Sequence, residues 1–324
     1  MKLPPEIEAA MIAAPDDASP WLVASDWLMS HGDPLGELIS VSRALERESN
    51  PAQFMLRKRR RDELLRAHAE EWTAGASLDE AVWRWGFVTH ARVQVEHLEA
   101  FLGSRVGRFV RELELQGPLE SVAHALSSAS PPILSGLALR GRGRAPPVSL
   151  VAITDTVPWL RRLAVFGVEV DFTHFSVGQL TDLRLRDGRH PSITPFVASL
   201  ESERLTSLEL MIDAPLELKA AVVNRTPALT SLHLEDDLAD ELASWAAKAP
   251  IMRQLEVLGL SGPMTDEGLD ALLIDSARLH RLTILLEGGH FSGATKRMAY
   301  RQLPKVTFHK ARAPLTWWYL PRPG

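Results

Sequence analysis

The stretch that decides the fold of this chain reads Leu205-Thr206-Ser207-Leu208-Glu209-Leu210. An aliphatic residue is followed by two variable residues, an aliphatic, one variable residue and a third aliphatic. This pattern occurs nine times, and successive copies begin 24, 26, 20, 25, 24, 26, 24 and 24 residues apart. Because leucine's abundance alone does not produce so constant a spacing, the pattern indicates a repeated structural unit. The copies begin at Val110, Leu134, Leu160, Leu180, Leu205, Leu229, Leu255, Leu279 and Leu303.

The spacing within each copy predicts a short β-strand. The last two aliphatics lie two residues apart, so in a strand they point to one face while the residue between them points to the other. One short strand cannot bury its aliphatic face alone. Parallel stacking of successive strands would form a continuous core and leave the intervening residues on an exposed, concave sheet. The segments between strands must then return along the opposite side.

These copies resemble leucine-rich repeats, whose period is 20 to 29 residues. The resemblance implies an α/β fold: a solenoid with a parallel concave sheet. Two return segments are predicted to be helical, one capped by Thr265 and one running from Asp237 to Ala247 with Leu238, Leu242 and Trp245 on one face.

One departure from leucine-rich repeats concerns asparagine. Such repeats place Asn shortly after the third aliphatic, where it bonds successive turns, but Asn50 and Asn224 are the only asparagines of this chain and neither holds that position. The seventh copy resembles the ribonuclease-inhibitor-like subtype with Pro263 at the expected Asn. We therefore expect other groups to make the hydrogen bonds that join successive backbone turns.

The first eighty residues have helical periodicity. Helices are predicted over Pro5 to Ala14, Trp21 to Met29, Leu35 to Leu45 and Pro51 to Ala74, and Asp33-Pro34 supplies a cap followed by proline at the start of the third. The sequence thus predicts a small all-helical N-terminal domain.

Part of this region resembles the repeat-companion domain of bacterial proteins. The resemblance covers about residues 6 to 48. It is carried by Ala13-Ala14-Pro15-Asp16-Asp17, by Trp21-Leu22-Val23-Ala24-Ser25-Asp26-Trp27-Leu28 and by Gly32-Asp33-Pro34-Leu35-Gly36-Glu37-Leu38-Ile39. Ser25 stands where that family more often has Ala. The resemblance implies an accessory module ahead of leucine-rich repeats, and Trp85-Gly86-Phe87-Val88 resembles the strand that follows it.

The predicted domains are 1–80 for the helical domain, 81–312 for the solenoid and 313–324 for an aromatic tail. The tail contains Trp317, Trp318 and Tyr319. A terminal repeat exposes core unless it is capped, so the tail is interpreted as a cap that folds back. A free peptide that docks on a partner is the alternative.

The strand geometry also predicts which residues face outward. In copies two to four these include several arginines around Phe166, and in copies five and six they include acidic residues and a histidine. Arginine beside an aromatic is typical of protein interfaces. We therefore expect a protein partner on the concave face, bound by Arg140, Arg162, Phe166, Arg184, Arg186, Glu209, Met211, His233 and Glu235. The alternative is a solvated surface on which Asp182 and Asp187 pair with the arginines.

The sequence points to a non-catalytic binding module rather than an enzyme. It contains no phosphate-binding glycine loop, zinc-protease motif or nucleophile elbow, and the eleven histidines show no ligand spacing. Asp26, His31, Asp33 and Glu37 form the one cluster that suggests a metal. Structural roles account for them better: Asp33 as a helix cap, Glu37 as first-turn charge and Asp26 as a buried acceptor. No metal or cofactor is expected.

Composition narrows the class of partner and the compartment. The chain has 324 residues, 45% of them hydrophobic, a formal net charge of −5 and no cysteine. This charge argues against a general nucleic-acid binder. The run Arg57-Lys58-Arg59-Arg60-Arg61 winds around its helix and is interpreted as solvated rather than as a nucleic-acid contact. The alternative function is a nucleic-acid or anionic-ligand binder that works through the arginine patch of the concave face. Without an apolar leader or an 18-residue apolar run, we expect a cytoplasmic protein that spans no membrane.

Overall fold

The computed structural model of the chain describes residues 2–141, 147–186, 191–274 and 279–309. These residues form two compact units. The first unit comprises 2–141 and 152–160, and the second comprises 147–151 and 161–309. The predicted aromatic tail, 313–324, lies outside the described residues, as does Asp187.

The first unit opens with the helices predicted from the sequence. They are α1 (Pro5–Ala13), α2 (Ala18–Ser30), α3 (Pro34–Arg47) and α4 (Pro51–Trp72). Three of them begin at a polar cap, because the side chains of Asp17, Asp33 and Asn50 accept hydrogen bonds from main-chain N–H groups of the first turn. The prediction of an N-terminal helical region is confirmed.

Close packing of α2 on α3 explains part of the quoted motif. The Ser25 hydroxyl is buried and donates to the Gly36 carbonyl oxygen at 2.7 Å. A Cβ at position 36 would lie 2.7 Å from the Met29 nitrogen, so only glycine lets the two backbones approach this closely. The hydroxyl of Ser25 therefore joins the two helices.

A β-hairpin follows the helices. Strands β1 (Leu78–Arg84) and β2 (Phe87–Gln94) pair antiparallel. Trp85 and Gly86 connect them with φ of 49° and 77°, the left-handed backbone that a two-residue hairpin turn requires. The expectation that Trp85 opens a strand is wrong: Trp85 and Gly86 form the turn, and the strand begins at Phe87.

The remaining elements alternate between strands and helices. In the first unit these are α5 (Leu98–Gly103), β3 (Glu112–Gln116), α6 (Val122–Ala129) and β4 (Gly136–Arg140), and β2, β3 and β4 pair in parallel. Next come β5 (Val148–Ser149), α7 (Leu150–Thr156), β6 (Arg162–Phe166), β7 (Val170–Asp171), β8 (Asp182–Arg186), α8 (Ile193–Ser199), β9 (Ser207–Met211), α9 (Leu216–Asn224), β10 (Ser231–Glu235), α10 (Ala239–Lys248), β11 (Val257–Ser261), α11 (Asp266–Leu273), β12 (Thr283–Glu287), α12 (Gly293–Gln302) and β13 (Val306–His309). Short 3₁₀ turns occupy Val95–His97, Gly107–Phe109 and Pro250–Arg253.

The second unit contains a parallel sheet in the order β6-β8-β9-β10-β11-β12-β13, and β5 pairs with β7 beside it. Strands stack in register: Leu183 pairs with Leu208, which pairs with Leu232. Leu208 is 1% exposed and Leu232 is fully buried. The chain is therefore an α/β protein with an N-terminal helical region and repeated βα units, as the spacing of the leucines predicts.

The register of the eighth copy differs from the prediction. Leu258 pairs with Ile284 and Leu260 with Leu286, so the strand lies two residues later than the copy beginning at Leu279 predicts. The reason is the alternation Leu282-x-Ile284-x-Leu286, in which a shift by two residues keeps the same face apolar. Residue 282 is buried in the turn that leads into the strand.

One strand of the parallel series was missed by the sequence pattern. In β2, Ala91 pairs with Leu113 and Val93 with Leu115, so β2 stands where a copy before the first would lie. Val88, Ala91 and Val93 have the spacing of the three aliphatics in each copy. The match was missed because alanine stands where the other copies have a larger aliphatic residue.

The turns are satisfied without asparagine. Ahead of three successive strands, threonine hydroxyls donate to the carbonyl of the preceding repeat: Thr181 to Arg161 at 3.2 Å, Thr206 to Thr181 at 3.0 Å and Thr230 to Thr206 at 3.3 Å. Beyond the strands, main-chain N–H groups continue the same pattern, as when Gly262 donates to the carbonyl of Glu287 at 3.1 Å. Threonine hydroxyls before the strands and main-chain N–H groups after them thus make the hydrogen bonds between successive turns that asparagine was expected to make.

Both predicted return helices are present, but only one of them begins as predicted. Thr265 accepts a hydrogen bond from the Glu267 N–H and caps α11, as predicted. Helix α10 begins only at Ala239, and Leu238 is 56% exposed instead of packing on the core. Asp236, one residue before the predicted start, holds the turn by accepting a hydrogen bond from the Leu238 N–H.

Among the residues that the structure describes, we find no helix with the length and hydropathy needed to cross a membrane.

A buried lysine joins α9 to the end of β10. Lys219 is 2% exposed, and its Nζ donates to the Glu235 carbonyl oxygen at 2.6 Å and to the Asp236 Oδ2 at 2.8 Å. A buried ammonium needs such partners because desolvation of an unpaired charge is costly. Lys219 therefore fixes the turn that follows β10.

We predict that Leu208→Ala lowers the free energy of unfolding by about 2–5 kcal/mol, because the side chain is buried between two strands and its removal leaves a cavity. A urea denaturation curve measures this change. The neighbouring Ser207→Ala, on a half-buried position of the opposite face, is the control and should change stability little. Equal midpoints for the two variants would contradict the assigned register.

We predict that Lys219→Met destabilises the chain by about 3–5 kcal/mol, because it leaves the Asp236 carboxylate without its cation. Adding Asp236→Asn should restore part of the loss, since the amide oxygen can still accept from Leu238. The exposed Lys58→Met serves as the control, and a loss of stability as large as that of Lys219→Met would argue against this role.

Candidate partner-binding face of the strands

The strand residues between the core aliphatics form the candidate site. They point away from the face that carries the leucines, and parallel neighbours lie about 4.8 Å apart, so same-column residues of adjacent strands touch. In the second unit the central column reads Ala164, Arg184, Glu209, His233, Gly259, Leu285 and Thr307.

The predicted binding residues fall in both units. Arg140 belongs to the first unit, and the other eight belong to the second. The half-buried members are Arg140, Arg162, Arg186 and Glu235. The buried members are Phe166, Arg184, Glu209, Met211 and His233.

The expectation that all these residues look outward requires correction. Phe166 and Arg184 are each 6% exposed, so they belong to the packed part of the protein. Arg186 lies over the Phe166 ring, and Arg184 is paired with Asp182, so neighbouring side chains help to cover both residues. Replacing both would therefore disturb stability as well as any contact with a partner.

Arg184 is held by an acid on its own strand. Its Nε and Nη2 lie 3.1 and 3.2 Å from the two carboxylate oxygens of Asp182. Burial opposes the charged form, but Asp182 and Glu209 outweigh it and raise the pKa of Arg184 above its ordinary value. The pairing of Asp182 with this arginine, which the sequence offered as an alternative, is present.

Arg186 lies next to the aromatic. Its Nη2 and Nε contact Glu209 Oε1 at 2.8 and 3.1 Å, and its guanidinium carbon lies 5.8 Å from the centre of the Phe166 ring. Phe166 pairs in register with Arg186, not with Arg184. The structure therefore brings Phe166, Arg186 and Glu209 into one cluster.

Arg140 of the first unit has a different partner. It contacts the fully buried Glu114 at 2.9 Å, and Arg92 contacts the same oxygen at 2.8 Å. Burial alone would raise the pKa of Glu114, but hydrogen bonds and the two arginines lower it. Glu114 is thus a carboxylate held between two cations.

A hydrogen-bonded chain crosses three strands beside these ion pairs. His233 Nε2 lies 2.9 Å from the Ser261 hydroxyl, which donates to Glu287 Oε2 at 3.2 Å. Burial lowers the pKa of His233, and the nearby Arg186 and Arg184 add to that shift while Glu209 and Glu287 oppose it. Glu287 was missed from the sequence because of the two-residue shift in the eighth copy.

Gly259 makes room for the histidine ring. A Cβ at this position would lie 2.5 Å from the His233 ring carbons, closer than any side chain allows. A small hollow of about 30 Å³ lies nearby, lined among others by Ser207, Ser231, His233 and Gly259. This hollow interrupts the otherwise closely paired face.

The metal-like cluster of the N-terminal helices is accounted for by other contacts. Asp33 caps α3 and contacts Arg105 at 2.6 Å, and Glu37 contacts Arg60 at 2.6 Å. Asp26 is exposed, which corrects its interpretation as a buried acceptor. Within the described ranges, no group of three or more His, Asp or Glu side chains is placed to hold a metal ion.

The arginine run on α4 is engaged by acids. Arg57 contacts Glu48, Arg59 contacts Glu63, Arg60 contacts Glu37 and Arg61 contacts Asp62, all within 3.1 Å. These pairs neutralise much of the positive charge that made the run resemble a nucleic-acid patch.

Compared with known proteins, the chain matches no protein-family model and no curated protein in sequence.

We predict that acidification destabilises the chain through His233. The folded state keeps this ring neutral, whereas the unfolded chain takes up a proton below the ordinary histidine pKa of about 6.5. The free energy of unfolding should therefore fall as the pH drops from about 6.5 toward the lowered pKa of the folded state.

Denaturation curves at several pH values give the free energy of unfolding of wild type and of each variant, and the comparison of their pH dependence measures this effect. His233→Gln, which can still donate to Ser261, should weaken the decline of stability with acid. The exposed His124→Gln is the control and should leave the decline unchanged. Identical slopes for wild type and His233→Gln would refute the assignment.

Proposed function

We propose that this chain is a non-catalytic module that binds a protein partner on the strand face of a leucine-rich-repeat solenoid. The observation that carries the proposal is the in-register stack from β6 to β13, with leucines on one face and an ordered row of polar and aromatic groups on the other. Stacked repeats commonly use such a face for binding.

The proposal includes a repeat-companion identity for the N-terminal helices. It is supported by the quoted D-W-L and G-D-P-L-G-E-L-I strings and by their roles: Asp33 caps α3, Gly36 admits α2, and Glu37 contacts α4 through Arg60. In this proposal the helices are an accessory part, and the second unit carries the binding face.

Fixed side chains favour binding because little conformational entropy is lost when a partner arrives. Phe166, Arg186 and Glu209 are held by one another, and His233 is held through Ser261. Half-buried Ser207, Ser231, Val257, Thr283 and Leu285 lie beside them and offer contact area. These five residues, together with the paired charges, form the proposed contact surface.

A nucleic-acid or anionic ligand is the second candidate, and the ion pairs weigh against it. Arg184 and Arg186 already contact Asp182 and Glu209, so a phosphate would have to displace a carboxylate from each. Phosphate binding would weaken steeply as salt rises, whereas an aromatic and apolar protein contact would change little.

The proposal predicts that Ser231→Arg abolishes capture of the protein that co-purifies with the full-length tagged chain from its native host. The new side chain would project from a half-buried position on the face and obstruct contact without entering the leucine core. Quantitative mass spectrometry of the captured proteins, at low and high salt, measures the effect.

The control is Arg59→Glu with Arg60→Glu on α4, which should leave capture intact. If this helix pair abolishes capture and Ser231→Arg does not, the arginine run is the functional surface. Nucleic acid that is captured and then released by moderate salt would support the second candidate instead.

A further inference from the structure

The first turns of α4 carry three consecutive apolar side chains that face solvent. Phe54 is 39% exposed, Met55 is 61% exposed and Leu56 is 60% exposed. Single exposed apolar residues are ordinary on a protein surface, whereas contiguous ones mark sites of interaction. The first buried residue of this helix is Leu64, so the turns before it contribute no side chain to the hydrophobic core.

A polar cap explains why this segment is helical although it buries nothing. The Oδ1 of Asn50 accepts hydrogen bonds from the main-chain N–H groups of Ala52 and Gln53 at 2.9 and 3.3 Å. Pro51 fits the first position of a helix, where its missing N–H costs nothing. Local support of this kind leaves the three apolar side chains available for contact with something outside the chain.

A collar of cations, Arg57 to Arg61, follows the apolar tip, Phe54 to Leu56. Residues four apart share a face of a helix, and each side chain of the tip has a cation four residues later. The pairs are Phe54 with Lys58, Met55 with Arg59, and Leu56 with Arg60. Four residues span about 6 Å along the helix axis, so positive charge lies one turn behind the apolar groups.

The ion pairs of the collar can give way to another anion. The side chains of Arg59 and Arg60 are 79% and 50% exposed in their pairs with Glu63 and Glu37, and such exposed pairs are weak because water screens them. Among the residues that the structure describes, no carboxylate lies within ion-pair distance of Lys58. The collar therefore keeps positive charge that an anionic partner can contact.

An anionic lipid surface is the partner that matches both the tip and the collar. The apolar side chains of an interfacial helix enter the boundary between headgroups and hydrocarbon by about 5–10 Å, and anionic headgroups attract clusters of Lys and Arg. A nucleic acid offers phosphates but no hydrocarbon layer for Met55 and Leu56. Glu48, just ahead of the helix, contacts Arg57 and is 13% exposed, so it adds little repulsion.

We propose that the tip and collar of α4 bind an anionic lipid surface. Phe54, Met55 and Leu56 enter the boundary between headgroups and hydrocarbon, and the cations of the collar contact the anionic headgroups. This site belongs to the first unit, so it goes beyond the partner-binding face of the second unit and does not depend on it.

The test uses the full chain and vesicles of equal parts phosphatidylcholine and phosphatidylserine. Co-sedimentation measures the lipid concentration at which half of the protein is bound. The chain should bind these mixed vesicles and should not bind vesicles of phosphatidylcholine alone. Binding should weaken as sodium chloride is raised, because salt screens the attraction between collar and headgroups.

Met55→Ser with Leu56→Ser tests the tip and should raise the half-binding lipid concentration by about tenfold or more, because two apolar side chains no longer leave water. Leu238→Ser is the matched control, since Leu238 is 56% exposed and lies outside α4. All three residues are exposed, so an unchanged midpoint of urea denaturation confirms that each variant is folded.

Lys58→Glu with Arg59→Glu tests the collar and should abolish binding to the mixed vesicles, because the headgroups then meet acids. Arg297→Glu with Arg301→Glu on α12 makes the same change of net charge at exposed positions and should leave binding intact.

Three results would each overturn the site. They are equal sedimentation, or none, with the two kinds of vesicle, equal loss of binding in the α4 and α12 charge variants, and wild-type binding by Met55→Ser with Leu56→Ser. If binding tolerates the serine substitutions and is lost only in the collar variant, the run is a surface for polyanions in general, and single-stranded RNA replaces lipid as its partner.

Discussion

Parallel pairing of short strands whose leucines lie two residues apart is the constraint on which the second unit depends. Each strand buries its leucines only because its neighbours supply the rest of the core, as Leu208 does between Leu183 and Leu232. Since register alternates faces with a period of two, fixing the leucines also fixes the residues on the opposite face. Core and candidate binding surface are two consequences of one pairing.

Polar contacts between repeats hold this stack at both ends of the strands. Thr206 and Thr230 donate to the carbonyls of preceding repeats, and Lys219 closes the turn after β10. These groups form hydrogen bonds between repeats in a chain that has only two asparagines. A buried main-chain carbonyl needs a hydrogen-bond donor, and a hydroxyl, an ammonium or a main-chain N–H can each supply one.

The opposite face is organised by charge pairing rather than by exposure. Side chains on strands about 4.8 Å apart are long enough to reach one another, so Arg184 finds Asp182 and Arg186 finds Glu209. Pairing reduces the cost of burying these charges and at the same time limits what they can offer to a ligand.

The sequence by itself determined the elements whose signal is local: the caps at Asp33 and Thr265, and the strands with leucine at both core positions. It also identified most residues of the opposite face, because strand alternation is strictly periodic. Tertiary structure alone decided the register of the strand at Ile284, since a two-residue shift preserves the pattern. It alone decided the burial of Arg184 and the contact of His233 with Ser261, because both depend on partners from neighbouring strands that no local spacing specifies.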